Sequence, residues 1–141
     1  MKLYANSPGN CLHYNVVMTA KYFRFPIEVI YVNLEMESQE IKEKRGQGKY
    51  PFLEDSDGTI IHESNAIAAY VARSAGQSDF LGSTAFEEAQ VEEWLNYTTS
   101  TLSKNMFTFI LHHWGYKEDE ARASEAVTVL KEGANVLNSH L

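Results

Sequence analysis

Cysteine is nearly absent from the chain: Cys11 is the only one among 141 residues, so no disulfide can form within it. A single free thiol is typical of proteins in a reducing compartment. Long apolar runs are absent too, since none approaches the roughly 20 residues with which a helix crosses a bilayer. The first residues, Met-Lys-Leu-Tyr, do not begin the apolar core of a signal peptide. We therefore expect a soluble cytoplasmic protein that does not enter a membrane.

Positive charge is the second shortage. Lys and Arg number 12 against 19 Asp and Glu, which gives a formal net charge of −7. A nucleic-acid-binding surface needs clustered basic side chains, so this balance argues against direct nucleic-acid binding. The densest basic cluster runs from Lys42 to Arg45, with Glu43 inside it, in a short polar helix predicted over 38–45. We expect this cluster to be a solvated helix face. The apolar share of 44% predicts a folded chain.

The first part of the chain has the pattern of a parallel βαβ unit. Residues 2–6 are a strand candidate, and the loop residues Ser7-Pro8-Gly9-Asn10 follow it. Apolar side chains at helical spacing predict a helix over 12–23, which Pro26 ends. Residues 27–32 are rich in β-branched and aromatic side chains and predict a mostly buried strand. A strand, a helix and a strand in this order imply parallel pairing of the two strands.

A hairpin and a helix come next. Pro51 has no N–H to give to a ladder, so it fits the first residue of a strand. Asp57-Gly58 supplies the positive φ angles of a tight hairpin. The two strands of this hairpin are predicted over 52–55 and 59–62. Ser64 then precedes an apolar-periodic run, which predicts a helix over 64–74 with Ser64 as its N-cap.

The remainder of the chain has the pattern of helices. Gly76-Gln77-Ser78-Asp79 is rich in turn residues and marks a domain boundary. Thr84, with Glu87 three residues later, forms a capping box that opens a long helix, kinked near Ser103. The last helix is predicted from Lys117, with an apolar stripe of Val127, Leu130, Ala134, Leu137 and Leu141. Because the stripe continues to the final residue, we expect a truncated chain with apolar helical surface that is exposed or buried in a dimer.

Two local patterns suit a small acidic peptide. The helix that begins at Ser64 offers backbone N–H groups and a positive dipole end to a carboxylate. A cis bond between Tyr50 and Pro51 would turn the Tyr50 N–H and C=O outward, where a peptide-like ligand pairs with them as an added strand does. Each pattern also has a purely structural explanation, since Ser64 can be only a helix cap and Pro51 only the start of an edge strand.

The order of proline, hairpin, Glu-Ser pair and helix resembles the glutathione-binding half of the glutathione transferase family, whose fold is thioredoxin-like. Three strings together resemble one branch of that superfamily: Pro8-Gly9-Asn10, Gly48-Lys49-Tyr50-Pro51 and Glu63-Ser64-Asn65-Ala66-Ile67-Ala68. The branch is the transferase-like N-terminal region of the gamma subunit of the translation elongation factor 1 complex. The Glu-Ser-Asn-Ala-Ile-Ala string is fairly specific for it, whereas the superfamily as a whole shares the Lys-Tyr-Pro element.

This resemblance implies a fold and a ligand. We expect an α/β thioredoxin-like N-terminal domain over 1–76, followed over 84–141 by a partial all-α glutathione transferase C-terminal domain. In glutathione transferases, the Glu-Ser pair holds the γ-glutamyl end of glutathione, and the proline that Pro51 matches follows a cis bond. The glutathione-binding residues that the resemblance implies are Lys49, Tyr50, Pro51, Glu63 and Ser64.

Candidate catalytic residues lie just after the first strand, where family enzymes place a donor that lowers the pKa of the bound thiol. Asn10 stands where a serine acts in theta- and delta-like members, and its amide N–H is a weaker donor. Cys11 resembles the cysteine-bearing loop of beta-class members, offset by one residue, and a cysteine at a helix N-terminus can have a lowered pKa. The alternative that we favour is a small buried apolar role for Cys11. Tyr4 lies within the strand, so we expect its side chain to pack.

No metal site is expected. His112 and His113 are adjacent on a predicted helix and point in different directions, with no Cys or carboxylate at ligand spacing. Two functions remain. The Glu-Ser-Asn-Ala-Ile-Ala string and Asn10 favour a protein-interaction module of the translation machinery, of the elongation factor 1 gamma type or appended to an aminoacyl-tRNA synthetase complex, which assembles with protein partners and with itself. Intact Tyr50-Pro51 and Glu63-Ser64 allow an active glutathione transferase, which conjugates glutathione to electrophiles.

Overall fold

The computed structural model describes residues 1–8, 11–116 and 119–140. The chain divides into two compact units at the bond between Ser83 and Thr84. The described part of the first unit combines one mixed sheet with helices in the thioredoxin-like order, and that of the second is helical. This is the fold class that the sequence predicts.

Four strands of the first unit form a sheet in the spatial order β2-β1-β3-β4. Their bounds are Lys2–Ala5 for β1, Glu28–Tyr31 for β2, Phe52–Glu54 for β3 and Ile60–His62 for β4. β1 and β2 are parallel, as the βαβ pattern predicts, whereas β3 is antiparallel to both β1 and β4. Each strand is one or two residues shorter than its predicted range, because local pattern determines element ends poorly.

Three α-helices accompany this sheet in the described part of the first unit. Their bounds are Tyr14–Tyr22 for α1, Gln39–Arg45 for α2 and Ser64–Ser74 for α3. A 3-10 turn over Cys11–His13 leads into α1, so regular α-helix begins later than predicted. The Ser38 hydroxyl accepts a hydrogen bond from the Ile41 N–H at 3.3 Å, which gives the short polar helix α2 a defined start.

The pleat of the sheet separates two apolar layers, because neighbouring side chains of a strand point to opposite faces. Leu3 and Leu53 pair across β1 and β3, and both are fully buried on the face that α1 and α3 cover. Full burial of such a side chain contributes about 1.5–3 kcal/mol. The helices complete this layer with Val16, Ala20, Ile67 and Val71.

The opposite face of the sheet is aromatic. Tyr4 and Phe52 also pair across β1 and β3, and their rings stack with centroids 4.6 Å apart and an angle of 9° between planes. Phe52 is fully buried, and Tyr4 is 5% exposed. The rest of the layer consists of Val32, Tyr50, Ile30, Ile60 and, from α2, Ile41. The expectation that Tyr4 packs within the strand agrees with this arrangement.

The prediction that β2 is mostly buried is wrong. Glu28 and Tyr31, at its two ends, are exposed, and the two residues between them are only half-buried. β2 lies at the edge of the sheet and pairs only with β1. Apolar and β-branched composition therefore identified a strand here, but it did not determine the position of that strand in the sheet.

The hairpin between β3 and β4 is wider than the tight turn predicted. Of the Asp57-Gly58 pair, only Gly58 has a positive φ, at +84°. The Gly58 N–H donates to the Asp55 C=O at 3.1 Å, and the Asp55 N–H donates to the Thr59 C=O at 2.9 Å. The turn therefore occupies residues 55–59, with the one glycine at the position that requires it.

The second unit begins with the capping box that the sequence predicts. Thr84 Oγ1 accepts from the Glu87 N–H, and Glu87 Oε2 accepts from the Thr84 N–H, both at 3.2 Å. The helix α4 over Ala85–Tyr97 passes into α5 over Lys104–His113 through a π-helical turn, Thr98–Ser103. This turn lies where the kink is predicted. It is rich in hydroxyl side chains, which compete for helix carbonyls and bend helices.

The last helix, α6, covers Glu120–His140, and the predicted start at Lys117 lies outside the described residues. Ala123, Ala126 and Gly133 form its buried side. The predicted apolar stripe is therefore partly wrong: three of its members are half-buried, but Ala134 is exposed, and Leu141 lies outside the described residues. Among the described helices, none is both long and apolar enough to cross a membrane.

Candidate functional site

Three segments with predicted chemistry meet at one edge of the sheet. The pairing register joins Tyr4 to Phe52 and Phe52 to His62, so β1 and β4 end at the edge where β3 begins. The loop after β1, the Tyr50-Pro51 pair and the Glu63-Ser64 pair all lie directly beyond these strand ends. We call this region the site edge. The order of the strands, rather than any single contact, brings the three segments together.

Glu63 enters α3 with an unusual backbone. Its φ is +67° and its ψ is +117°, a sparsely populated combination for a residue with a Cβ. Glu63 is the N-cap residue, its side chain makes no capping hydrogen bond, and it is exposed. Ser64 is half-buried and is the first residue inside the helix, so the prediction that it is the N-cap is wrong. Glu63, with its positive φ, takes the place of the extended cap residue that usually precedes a helix.

The bond between Tyr50 and Pro51 is cis, as the resemblance implies. The Tyr50 ring is buried in the aromatic layer, with its centroid 5.6 Å from that of Phe52. Its backbone, rather than its side chain, is therefore what this residue presents at the site edge. Lys49, the preceding residue, is exposed and forms no ion pair with any described residue.

The candidate catalytic residues lie in the segment that follows β1. Cys11 is the first residue of the 3-10 turn and is exposed, so the expectation of a small buried apolar role is wrong. Asn10 lies outside the described residues. The Tyr14 hydroxyl donates to the Pro8 C=O at 2.6 Å and fixes the near end of this loop. His13 is buried, with Nε2 3.3 Å from the Tyr31 hydroxyl, so it is part of the packing behind the loop.

A buried carboxylate, not singled out from the sequence, lies behind Tyr50. The Glu37 side chain is 5% exposed and accepts hydrogen bonds from Arg45 Nε at 2.9 Å and Nη2 at 3.1 Å. It also accepts the Tyr50 hydroxyl at 2.6 Å. Hydrogen bonds from Arg45 and then from Tyr50 lower the pKa of Glu37 to about 2. Burial and the bond to Glu37 raise the pKa of Tyr50 to about 12. The pair is ionised, and the phenol neutral, at neutral pH.

A second cluster of the same chemistry connects α2 to the sheet. Lys44 Nζ lies 2.8 Å from Glu54 Oε1, and the Tyr4 hydroxyl donates to Glu54 Oε2 at 2.7 Å. Lys44 and Tyr4 lower the pKa of Glu54. The prediction of a solvated basic face over Lys42 to Arg45 is therefore wrong for its second half. Lys44 and Arg45 are about three-quarters buried and each is bonded to a carboxylate, whereas the first two residues of the cluster are exposed.

Gly48 lies directly against β4. A Cβ on Gly48 would be 2.3 Å from Nδ1 of His62 and 3.1 Å from the Arg45 C=O oxygen. Only a residue without a side chain permits this approach. His62 Nδ1 is buried and has no hydrogen-bond partner among the residues that the structure describes. The glycine three residues before Pro51 is the only local sign of this contact in the sequence. Its partner His62 could not be identified, because it lies in β4, distant along the chain.

The adjacent histidines lie at the end of α5, where the sequence predicts them. Both fall in the last turn, His112 with a buried and unpartnered Nδ1 and His113 with its ring 5.9 Å from that of Phe109. Within the described ranges, no three His, Cys, Asp or Glu residues are grouped so as to hold a metal ion. Besides the Cys11 thiol, the site edge offers backbone amides and the side chains of Ser64, Glu63 and Lys49, a set that suits a zwitterionic peptide.

Comparison with known proteins identifies relatives of two kinds. Residues 12–79 match the family described as "Glutathione S-transferase, N-terminal domain". The chain is 40% identical over 95 residues to a probable elongation factor 1-gamma 2 of Arabidopsis thaliana, over 67% of this chain and 23% of that protein. It is 30% identical over 143 aligned positions to elongation factor 1-gamma 2 of Oryza sativa subsp. japonica, over 99% of this chain and 34% of that protein. The chain thus spans 23% and 34% of the length of these two curated relatives.

Several similar solved structures are glutathione S-transferases. One, from Pichia kudriavzevii, is 29% identical with a TM-score of 0.78, over 98% of this chain and 66% of that chain. Another is the theta-class enzyme of Xanthomonas axonopodis pv. citri with glutathione bound. It has a TM-score of 0.82 over 99% of this chain and 69% of that chain, and at 19% identity it shows the fold alone. These findings confirm the predicted resemblance to glutathione transferases and to elongation factor 1-gamma.

Proposed function

Because the chain belongs to the glutathione transferase-like superfamily, we propose that it is a protein-interaction module of the translation machinery, of the elongation factor 1-gamma type. The observation that carries this proposal is the similarity to an elongation factor 1-gamma over 99% of the chain. Its partners are then proteins of the elongation factor 1 or aminoacyl-tRNA synthetase complexes, or a second copy, in the cytoplasm.

Exposed apolar surface on the helical unit supports an interaction role. Isolated exposed apolar residues are normal, whereas large exposed apolar side chains that adjoin one another are typical of a surface that another protein covers. The exposed fraction of these side chains ranges from 37% to 74%. They are Phe86, Met106, Phe107, Trp114 and Tyr116.

Co-purification tests this role. The tagged chain is co-expressed with the other subunits of elongation factor 1 from the same organism, and the eluate is analysed by size-exclusion chromatography with light scattering. We expect a stoichiometric complex. Trp114→Glu, at a position 66% exposed, is expected to weaken it, whereas Lys131→Glu, at an exposed position of α6, is the control for added negative charge. A chain that elutes alone beside every subunit contradicts the proposal.

We further propose that the site edge binds glutathione as a ligand. The γ-glutamyl carboxylate would accept hydrogen bonds from Ser64 and the first-turn N–H groups of α3, and its ammonium would pair with Glu63. The Tyr50 backbone would pair with the cysteinyl residue of the peptide, and Lys49 would attract its glycine carboxylate. The Glu63 side chain makes no capping hydrogen bond, which supports this proposal, since it does not compete with a ligand for the N–H groups at the start of α3.

Calorimetry tests glutathione binding directly. We expect a millimolar Kd for the unaltered chain, and a weaker one for Ser64→Ala. Ser124→Ala is the matched control, because Ser124 is an exposed serine within α6 of the other unit. No heat with millimolar glutathione, from a sample that circular dichroism shows to be folded, would remove glutathione from the proposal and leave the interaction role standing.

An active glutathione transferase is the second candidate, and the exposure of Cys11 at the site edge favours it. In such a reaction the glutathione thiolate bonds to an aryl carbon, the halide of that carbon leaves, and the thiol proton passes to solvent. We expect negligible turnover of an aryl halide. Turnover that Cys11→Ala or Asn10→Ala abolishes, with folding intact, would establish the enzyme instead.

A further inference from the structure

The segment between α2 and Pro51, residues 46–50, carries two residues of the proposed glutathione site. Lys49 and Tyr50 belong to it, and it contains no helix or strand. We call it the 46–50 loop. Backbone hydrogen bonds hold its first part, from the Gly46 N–H to the Lys42 C=O at 2.9 Å and from the Gly48 N–H to the Arg45 C=O at 3.0 Å. The rest of the loop must be ordered by other contacts before its amides can bind a ligand without a further loss of entropy.

One carboxylate holds both ends of the 46–50 loop. Glu37 accepts two hydrogen bonds from Arg45, the last residue of α2, immediately before the loop. The same carboxylate accepts the hydroxyl of Tyr50, the last residue of the loop. The loop therefore starts and finishes at residues bonded to Glu37.

The middle of the loop is held as well. Arg45 Nη1 donates to the Gly48 C=O at 3.0 Å, so the guanidinium that faces Glu37 also fixes the loop backbone. On the other side, Gly48 lies against the His62 ring at a distance that admits no Cβ. The planar guanidinium makes these three bonds at once because its donors diverge in one plane, which a lysine ammonium could not reproduce.

From these contacts we infer that Glu37 and Arg45 are positioning residues of the glutathione site: they order the 46–50 loop so that the Tyr50 backbone is in place before the ligand arrives. This inference rests on the proposed glutathione binding and deepens it. Glu37 and Arg45 are not expected to contact the ligand. Their effect passes through the loop alone.

The chain itself contains a control for this inference. Lys44, Glu54 and Tyr4 repeat the combination of cation, carboxylate and phenol on the same helix and the same face of the sheet. Its three members lie in α2, β3 and β1, so they join regular elements and hold no loop. Loss of either cluster should lower stability, but only loss of the first should disorder the 46–50 loop.

The experiment compares Tyr50→Phe and Glu37→Gln with their counterparts Tyr4→Phe and Glu54→Gln. Calorimetry gives the glutathione Kd of each variant, denaturant unfolding gives its stability, and amide hydrogen exchange gives the protection of residues 46–50 in the ligand-free protein. Arg45→Lys is included because it keeps the charge and loses the bidentate geometry.

We expect Tyr50→Phe, Glu37→Gln and Arg45→Lys to weaken glutathione binding by about 5- to 30-fold, the factor for reordering roughly one residue of backbone. Exchange within the 46–50 loop should become faster in the same variants. Tyr4→Phe and Glu54→Gln should bind as the unaltered protein does. Equal weakening by both sets, or unchanged loop exchange in the first set, would overturn the inference. If the unaltered protein binds no glutathione, the proposed ligand fails, and loop exchange alone decides whether these residues order the loop.

Discussion

Substitution of Gly48 by alanine tests the closest approach in the site edge. The added Cβ would lie 2.3 Å from His62 Nδ1, whereas ordinary contact begins at 3.4 Å, so the ring would have to retreat by about 1 Å. Little space is available for this, because Nδ1 is buried and the ring lies against the fully buried Phe52, with centroids 6.0 Å apart.

Two opposing effects determine how much Gly48→Ala changes the free energy of unfolding. Overpacking of this kind costs about 1–3 kcal/mol. Gly48 has no positive φ, so alanine fits its backbone and gains about 0.4–1 kcal/mol by restricting the unfolded chain. We therefore expect Gly48→Ala to lower the free energy of unfolding by about 0.5–2 kcal/mol.

Urea denaturation of a double-mutant cycle separates the clash from other effects. In a His62→Ala background the ring is gone, and Gly48→Ala should be close to neutral, with only the Arg45 C=O oxygen, at 3.1 Å, still near. His62→Ala alone is the control for loss of the ring. An equal loss of stability in both backgrounds, or none in either, would refute the argument that the two residues are in close contact.

Four further outcomes are expected. The pKa of Glu37 is lowered from 4.5 to about 2, so its ionised form contributes its full stabilisation above pH 4.5, and this contribution is lost as the pH falls toward 2. Glu37→Gln should therefore flatten the acid-unfolding curve between these two pH values. Thr84→Ala removes half of the capping box and should lower the unfolding free energy by about 1 kcal/mol in urea. Phe52→Ala should cost about 3–5 kcal/mol in the same assay, since its ring is fully buried. Glu63→Gly should leave stability unchanged or raise it by up to about 1 kcal/mol, because glycine accepts the positive φ, while calorimetry shows weaker glutathione binding.

Sequence pattern predicted the elements of this chain better than their positions. Punctuating residues with a local physical cause were informative: the capping box at Thr84, the proline before β3 and the parallel pairing of β1 with β2 are all found. The burial of β2 was predicted wrongly, because edge or centre position depends on which strands pair, and composition does not encode that. The true buried side of α6 uses two alanines and Gly133, small residues that a search for large apolar side chains passes over.

For the site edge too, the sequence predicts some residues and not others. Its residues could be found from the resemblance, since Tyr50, Pro51, Glu63 and Ser64 stand in recognisable strings. The residues that hold them in place could not be found from the sequence. Glu37 precedes Tyr50 by 13 residues, with α2 between them, and His62 meets Gly48 only because β4 pairs beside β3. The Lys42 to Arg45 cluster, which local sequence predicts to be solvated, thus contains the largely buried Arg45. Local sequence does not predict this burial, because the carboxylate that Arg45 contacts lies outside the cluster.

Some residues of the site edge are explained by the fold alone, and others are not. An edge strand can begin at a proline and a helix can begin at a serine without any ligand, so Pro51 and Ser64 alone do not distinguish a binding site from a stable scaffold. The backbone of Glu63 supports the proposed binding site instead, because its positive φ strains a residue with a Cβ, and a helix start does not need it. Such strain costs about 1–3 kcal/mol and is concentrated at functional sites. The backbone of Glu63 is therefore a stronger argument for ligand binding than the serine beside it, and glycine at that position tests the argument where alanine at Ser64 alone would not.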